Sequence, residues 1–273
     1  MELGTEDEAG FRLLTEKIAR ERGFGCASYK EKCLRRRIAV RMRARGVLTF
    51  RDYAVLLDGD AREFDRLIDA LTINVTRLFR NREVYEVLDG LVIPTLWSAP
   101  VDRIRVWSAG CSSGEEPYSV GVLFHHHAER VNDLEGLRRV DIHGTDIDAR
   151  SLERAHAGGF EEGDFEETPA PLRSAYFAPA APFTIRDDVR QLVRFSRLDL
   201  LHDPAPPAQH HLILCRNVLI YFDRASQERL FAGFFDALAP GGYLVLGKVE
   251  TLLGEARRRF VAVDARERIF QKP

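Results

Sequence analysis

Four short stretches of this 273-residue chain gather polar side chains where open α/β sheets bind ligands. The first is Val106-Trp107-Ser108-Ala109-Gly110-Cys111-Ser112-Ser113-Gly114-Glu115-Glu116-Pro117. An apolar strand, Ile104 to Trp107, runs into a turn of small residues, and a helix follows with Pro117 in its first turn. Proline is harmless there because the N–H it lacks has no helical partner. Such a turn lets the backbone approach a nucleotide-sized ligand closely. Glu115 and Glu116 at the helix start would repel a pyrophosphate. They could instead accept hydrogen bonds from an ammonium or a ribose. The ligand described is a phosphate-free nucleoside with a cationic amino-acid end.

The second stretch is a strand, Asp141 to Thr145, that ends in Asp146 and Asp148. An acid at the tip of the second strand accepts ribose hydroxyls in nucleotide-binding sheets. Either aspartate could equally cap the helix that begins at Ala149. Its place one βαβ unit after the glycine turn favours the ribose role for Asp146. With that ribose contact, S-adenosylmethionine fits the description of the ligand. The third stretch, Leu71 to Arg80, alternates Asn74, Thr76 and Arg80 with apolar neighbours, so one side of an extended segment could be polar. Read from the residues alone, a turn with a surface arginine is the better account. In the fourth, Cys215 to Phe222, Arg216-Asn217 stands at a strand end with Tyr221 beyond. These could hold substrate and cofactor, or form a loop with a core tyrosine.

The elements that position these groups fall into two patterns. Residues 1–85 read as helical, with Phe11, Leu14 and Ile18, and later Leu34, Ile38 and Met42, at helical spacing. Ser28 and Thr49 are expected N-caps, and Asp60 with Glu63 matches a capping box ahead of Phe64, Leu67, Ile68 and Leu71. From about residue 100, strands and helices alternate, which implies parallel strands with right-handed crossovers. The expected elements are a helix from Pro117 to Ala128, a strand from Leu212 to Cys215, and a helix from Gln227 to Leu238 stopped by Pro240-Gly241-Gly242. A strand from Tyr243 to Leu246 follows, then an antiparallel hairpin of Phe260–Val263 and Arg268–Gln271. That closing hairpin marks the methyltransferase variant of the doubly wound fold. Residues 158–195, with Gly158, Gly159, Gly163 and prolines from Pro169 to Pro182, read as a small, irregular or β insertion.

The composition is that of a globular protein, 45% hydrophobic and 30% charged with a formal net charge of -2. Overall charge therefore gives no argument for nucleic acid. No apolar run approaches the roughly 18–20 residues of a membrane span, and the acidic start MELGTEDEAG is wrong for a signal peptide. A cytoplasmic location is expected. Cys26, Cys33, Cys111 and Cys215 have no metal spacing, and Cys111 and Cys215 read as small buried hydrophobes. The histidine runs 125–127 and 210–211 read as helix-end and pre-strand residues, so no metal site is expected.

Taken in order, LTINVTRLFRN, VWSAGCSSGEEPYS, GTDID, LCRNVLIYFD and PGGYLVLGKVE resemble the chemotaxis protein-glutamate methyltransferases of the CheR family. The resemblance covers nearly the whole chain, including the basic YKEKCLRRRI run. It implies a small all-α N-terminal domain that docks receptors (1–85) and a Rossmann-like class I methyltransferase domain (86–273) with the terminal antiparallel hairpin. The small β insertion (158–195) lies within the second. It further implies that Asn74, Thr76, Arg80, Glu115, Glu116, Asp146, Asp199, Leu200, Arg216 and Asn217 bind S-adenosylmethionine, with Glu116 the first choice of the two glutamates. Arg80 and Tyr221 are implied at the methyl-transfer site. Relatives carry Asn-Leu where this chain has Asp199-Leu200, Gly-His-Ser-Glu where it has Gly247-Lys248-Val249-Glu250, and paired phenylalanines where it has Leu78-Phe79. The short insertion, with prolines and alanines between Ala178 and Phe183, argues against tethering by a receptor tail peptide.

The implied reaction joins the methyl group to receptor glutamates. The helix with Lys30, Lys32, Arg35, Arg36, Arg37, Arg41, Arg43 and Arg45 would dock the acidic, helical cytoplasmic domain of a receptor, or is a solvated face balanced by the acidic start of the chain. Charge reversal at Arg36 and Arg37 is the corresponding test. The chain is expected to act as a monomer, without nucleic acid and without entering the membrane. Two rivals stand beside this reading. A nucleic-acid methyltransferase is disfavoured because no aromatic platform accompanies the basic helix. A non-catalytic module that binds S-adenosylmethionine as a sensor or scaffold is kept open by Lys248-Val249.

Overall fold

A computed structural model describes residues 2–72 and 75–273, with side chains from Asp7 onward. Asn74 lies outside the described residues. The chain divides into two compact units: Met1–Ile73 with Tyr221–Ser226, and Asn74–Ile220 with Gln227–Pro273.

The first unit is helical: α1 (Glu2–Arg22), a 3-10 turn (Cys26–Ser28), α2 (Glu31–Ala44), α3 (Phe50–Gly59) and α4 (Ala61–Leu71). The periodic apolar residues form its core, with Leu14, Ile18, Ile38 and Leu67 fully buried. Thr49 caps α3 by accepting the Asp52 N–H at 3.1 Å, and Asp60 caps α4 by accepting that of Glu63 at 2.9 Å. The capping box is only half made. The Glu63 carboxylate is fully buried and turns instead to Arg41, at 3.0 and 2.6 Å, and to the Tyr53 hydroxyl at 2.8 Å. A buried carboxylate needs a charged partner more than it needs a free backbone N–H. Ser28 is not the cap of α2, a place held by Lys30. The intervening residues are drawn into a bridge, Tyr29 opposite Phe222, flanked by Lys30 N–H to Tyr221 O (2.8 Å) and Asp223 N–H to Ser28 O (2.9 Å).

The second unit opens with one helical run: α5 (Arg82–Val87), a π turn (Leu88–Val92) and α6 (Ile93–Ser98). Then come β1 (Ile104–Ala109), α7 (Glu115–Arg130), β2 (Val140–Asp146), α8 (Ala149–Ala157), β3 (Gly159–Phe160), α9 (Ala170–Tyr176), β4 (Phe183–Thr184) and α10 (Asp187–Arg190). The chain continues with β5 (Val193–Arg197), β6 (His210–Cys215), α11 (Arg224–Ala237), β7 (Leu238–Leu246), α12 (Ala256–Arg259), β8 (Val261–Asp264) and β9 (Ile269–Gln271). Seven strands lie in the order β5-β2-β1-β6-β7-β9-β8. The first five run parallel, and β9 is antiparallel to both β7 and β8. Val106, Ile142, Leu212, Leu214 and Val245 are fully buried beneath α7 residues such as Val120 and Phe124. These runs read as continuous apolar sequence because both faces of the sheet are covered.

Two details differ from the expectation. Pro240-Gly241-Gly242 lie inside β7, at a register shift opposite His210–Leu212, so a bulge absorbs the turn residues. The end of the insertion is β5, the edge strand beside β2. Its V-R-F-S-R alternation is the signature of a half-buried edge, which the glycines and prolines upstream obscured. The insertion otherwise holds the two-residue β3–β4 pair, α9 and α10. Cys111 and Cys215 are buried, and desolvation pushes both thiols well up. Among the described residues no helix is long and apolar enough to cross a membrane.

Candidate functional site

The C-terminal ends of β1, β2 and β6 carry the polar groups of the second unit. After β1 the chain turns at Gly110 with φ of +82°. A Cβ there would stand 2.6 Å from a methyl of Val218, so only glycine lets this turn pass the one after β6. Ser112 N–H donates to Asp146 Oδ2 at 2.8 Å, and Asp148 N–H to Asp146 Oδ1 at 2.9 Å. Asp146 thus fastens the β1 turn to the tip of β2. Burial raises its carboxyl pKa against the pull of those N–H donors. Capping falls to Asp148, which accepts Arg150 N–H at 3.0 Å and the Ser151 hydroxyl at 2.8 Å.

The two glutamates of the turn have different surroundings. Glu116 accepts the Ser108 hydroxyl at 2.7 Å and faces Arg216 Nη1 at 3.4 Å. Its carboxyl is raised by burial, opposed chiefly by Arg216. Glu115 accepts the Ser113 hydroxyl at 2.8 and 3.0 Å. Burial pushes its carboxyl up to about 7, although it sits in the first turn of α7, where negative charge is favoured. Desolvation wins over the helix terminus.

Arg216 is 7% exposed and reaches four acceptors. Besides Glu116 it donates to Arg80 O at 2.7 Å, Asn81 Oδ1 at 3.2 Å and the Tyr85 hydroxyl at 3.3 Å. The segment it grips is contorted, with positive φ at Phe79 and Asn81. Phe79 N–H donates to Ser119 Oγ at 2.9 Å, Ser119 Oγ donates to Glu115 O at 2.6 Å, and Asn81 N–H donates to Glu167 at 2.6 Å. The Arg80 guanidinium donates to Val75 O at 2.7 Å, and Thr76 beside it is half-buried.

Asn217 has a left-handed backbone (φ +62°), and its N–H donates to the buried Glu250 at 3.0 Å. Asp199 Oδ1 accepts Leu201 N–H at 2.8 Å and Oδ2 faces His202 Nδ1 at 2.8 Å, with Leu200 half-buried between. Tyr221 belongs to the helical unit, where the Arg37 guanidinium lies 5.0 Å from its ring centroid.

The structure therefore unites Glu116 and Arg216 with the Arg80 backbone, sets Asp146 under the β1 turn, and leaves Glu115 paired only with Ser113 among these side chains. Ser112, Ser119, Asn81, Tyr85 and Glu250 were not singled out from the sequence. Ser119 had a usable signal: a hydroxyl one turn after Glu115, on the same helix face.

These residues fit S-adenosylmethionine. Ser112 Oγ and Arg216 Nε are buried without a protein partner among the described residues, and carboxylates flank a turn that holds no basic side chain for a phosphate. A parallel sheet closed by an antiparallel hairpin, with such a turn after its first strand, defines an S-adenosylmethionine-dependent methyltransferase. The description "CheR methyltransferase, SAM binding domain" matches residues 74–269, and "CheR methyltransferase, all-alpha domain" matches residues 9–72. The chain belongs to the CheR methyltransferase family. A chemotaxis protein methyltransferase of Listeria innocua is 36% identical over 91% of this chain and 92% of its own. One of Klebsiella aerogenes is 32% identical over 89% and 83%. A solved TehB-like SAM-dependent methyltransferase from Corynebacterium glutamicum covers 71% of this chain and 95% of its own, at 15% identity and a TM-score of 0.39, a likeness too loose to argue from.

Proposed function

We propose that the protein moves the methyl group of S-adenosylmethionine onto glutamate side chains of chemoreceptors, forming glutamyl methyl esters in the cytoplasm. The bound cofactor supplies an electrophilic methyl group on a sulfonium. The observation that carries the reading is the contrast between the two turn carboxylates. Glu116 is committed to Ser108 and Arg216, whereas Glu115 has a hydroxyl partner and, among the described residues, no cation at ion-pair distance, Arg154 acting on it only from farther off. Glu115, ahead of Glu116, then takes the ammonium of the cofactor's amino-acid end. Asp146 takes the ribose, and Thr76, Asp199, Leu200 and Asn217 line the remainder, with Asn74 assigned to the cofactor on the family resemblance alone. Arg216 acts by holding the Arg80 segment.

A substrate glutamate is ionised near neutral pH, with an ordinary pKa of about 4.3, and needs no general base. The chain's task is to orient that carboxylate in line with the methyl group and to keep water out. Arg80 presents a guanidinium to it, and Tyr221 helps to position it. The test is incubation with radiolabelled cofactor and receptor cytoplasmic domains. Alkali should release labelled methanol from the receptor. Label in nucleic acid, or in neither polymer, would overturn the reading.

The Glu115 assignment has a pH signature. A carboxyl raised from 4.5 to about 7 stabilises the free fold below 4.5, and that contribution is lost as pH rises through about 7. An ammonium selects the ionised form, so binding below pH 7 must expel a proton. S-adenosylhomocysteine affinity should fall by up to about tenfold per pH unit below 7 and level off above it. Glu115→Gln should bind weakly and without that slope, measured by calorimetry across pH 5.5–8.5. An unchanged slope in the variant would remove Glu115 from the role.

Receptor docking is assigned to α2, and its arginines divide by their partners. Arg35 pairs with Asp7, Glu8 and Glu31, Arg41 with Glu63, and Arg45 with Asp60, while Arg37 donates to Ala70 O and Leu71 O. Lys32, Arg36 and Arg43 are exposed at helical spacing around Val40, itself 50% exposed. The charge reversal belongs at Arg36 and Arg43, since reversing Arg37 would break α4. Arg36→Glu with Arg43→Glu should raise the KM for receptor several-fold at low salt and less at high salt, leaving cofactor affinity unchanged. A KM equal to that of the wild type would move docking off this face.

A further inference from the structure

The turn after β7 ends in a carboxylate to which the proposed function assigns no work. Glu250 is 4% exposed, and no arginine, lysine or histidine side chain pairs with it among the described residues. Its partners are backbone N–H groups from two different turns. Oε2 accepts Gly247 at 2.7 Å and Asn217 at 3.0 Å, and Oε1 accepts Ile220 at 3.3 Å. One side chain thus closes the turn after β6 onto the turn after β7. A buried carboxylate held by backbone dipoles alone fixes the position of every donor, because losing any one leaves charge unsolvated.

The approach is tight from the other side as well. A Cβ on Gly247 would stand 2.8 Å from Asn217 N, a backbone atom, and 2.8 Å from Glu250 Oε2. Gly247 and Glu250 are therefore one device: the glycine allows the approach and the carboxylate secures it. The same turn reaches a second wall. Lys248 Nζ pairs with Glu83 at 2.9 Å on α5, three residues after Arg80, whose carbonyl Arg216 holds. The turn 247–250 is the common fastening of the Arg216–Ile220 turn and the start of α5.

We infer that Glu250 is a positioning residue for methyl transfer, holding Asn217 and the turn after β6 in the geometry that binds the methyl donor. The inference rests on the methyltransferase reading, and it acts through Asn217 rather than by contact with the donor. Lys248 adds the link to α5.

The experiment measures S-adenosylhomocysteine binding by calorimetry at a temperature where each protein is fully folded, with melting recorded alongside. Glu250→Gln places an amide NH2 among N–H donors and should weaken binding tenfold or more. Gly247→Ala should do the same by pushing Asn217 away. Glu63→Gln, which removes an equally buried carboxylate in the helical unit, should lower the melting temperature and leave affinity within twofold. Wild-type affinity in folded Glu250→Gln or Gly247→Ala overturns the inference. Should both variants fail to fold, amide exchange in the wild-type protein decides. Product binding is expected to slow exchange at Asn217 and Gly247 together, and no change at either overturns the inference. Failure of the wild type to bind S-adenosylhomocysteine would strike the methyltransferase reading instead, and these readouts need no receptor.

Discussion

Arg216→Met is expected to cost about 3–5 kcal/mol of stability near pH 8, the usual penalty for removing one partner of a buried ion pair. It should also lower methyl transfer by two orders of magnitude or more. The first effect comes from Glu116. That carboxylate is 9% exposed, and without Arg216 it keeps only the Ser108 hydroxyl. Its carboxyl already stands above its ordinary 4.5 because of burial. Removing the cation raises it further, so the part of the penalty due to the stranded charge is absent below about pH 4.5, grows as pH rises above that and levels off past the new value. Denaturation of the variant across pH 5–9 should therefore show stability falling toward alkaline pH more steeply than in the wild type. Adding Glu116→Gln should recover most of the stability by removing the stranded charge. It should not recover transfer, because the carbonyl of Arg80 and the side chain of Asn81 still lack their donor. A double variant that regains activity along with stability would mean that Arg216 serves the fold alone.

Arg80→Ala should reduce the rate of methyl transfer at saturating cofactor by about a hundredfold or more, the cost of misplacing a reacting group by about 1 Å. Cofactor affinity should change only a few-fold. Three bonds that do not involve its side chain hold the segment around Arg80: Phe79 to Ser119, Asn81 to Glu167, and Arg216 to the Arg80 carbonyl. Removing the guanidinium gives up only its own bond to Val75 O at 2.7 Å, keeps these three, and takes away the group proposed to orient the acceptor carboxylate. Arg80→Lys keeps the charge without the planar fork and should recover only part of the rate. Turnover equal to the wild type in Arg80→Ala would remove the side chain from the reaction.

Much of this was legible in the sequence for a physical reason. A buried parallel strand must be a continuous apolar run, and the chain supplies Ile104–Trp107 and Leu212–Cys215 as such runs. Small residues after the first of them could only mean a close approach, and Gly110 against Val218 is that approach. Local rules told less where tertiary partners competed. Glu63 matched a capping box, yet the Arg41 guanidinium claimed its buried carboxylate. Pro240-Gly241-Gly242 promised a turn and became a bulge. The choice between Glu115 and Glu116 could not be read from adjacent identical residues, because their difference lies in Arg216, about a hundred residues away. Glu250 was hidden for the same reason. Its partners are backbone N–H groups, which leave no mark on side-chain identity except the glycine at 247.

Mass spectrometry of receptor cytoplasmic domains, after incubation with the purified protein and isotope-labelled S-adenosylmethionine, tests the central claim most directly. Labelled methyl esters on glutamate side chains, formed at least about a hundredfold more slowly with Arg80→Ala and cleaved by mild base, are the predicted result. Cofactor binding with no ester on any receptor, or label on another residue type or another polymer, would contradict it.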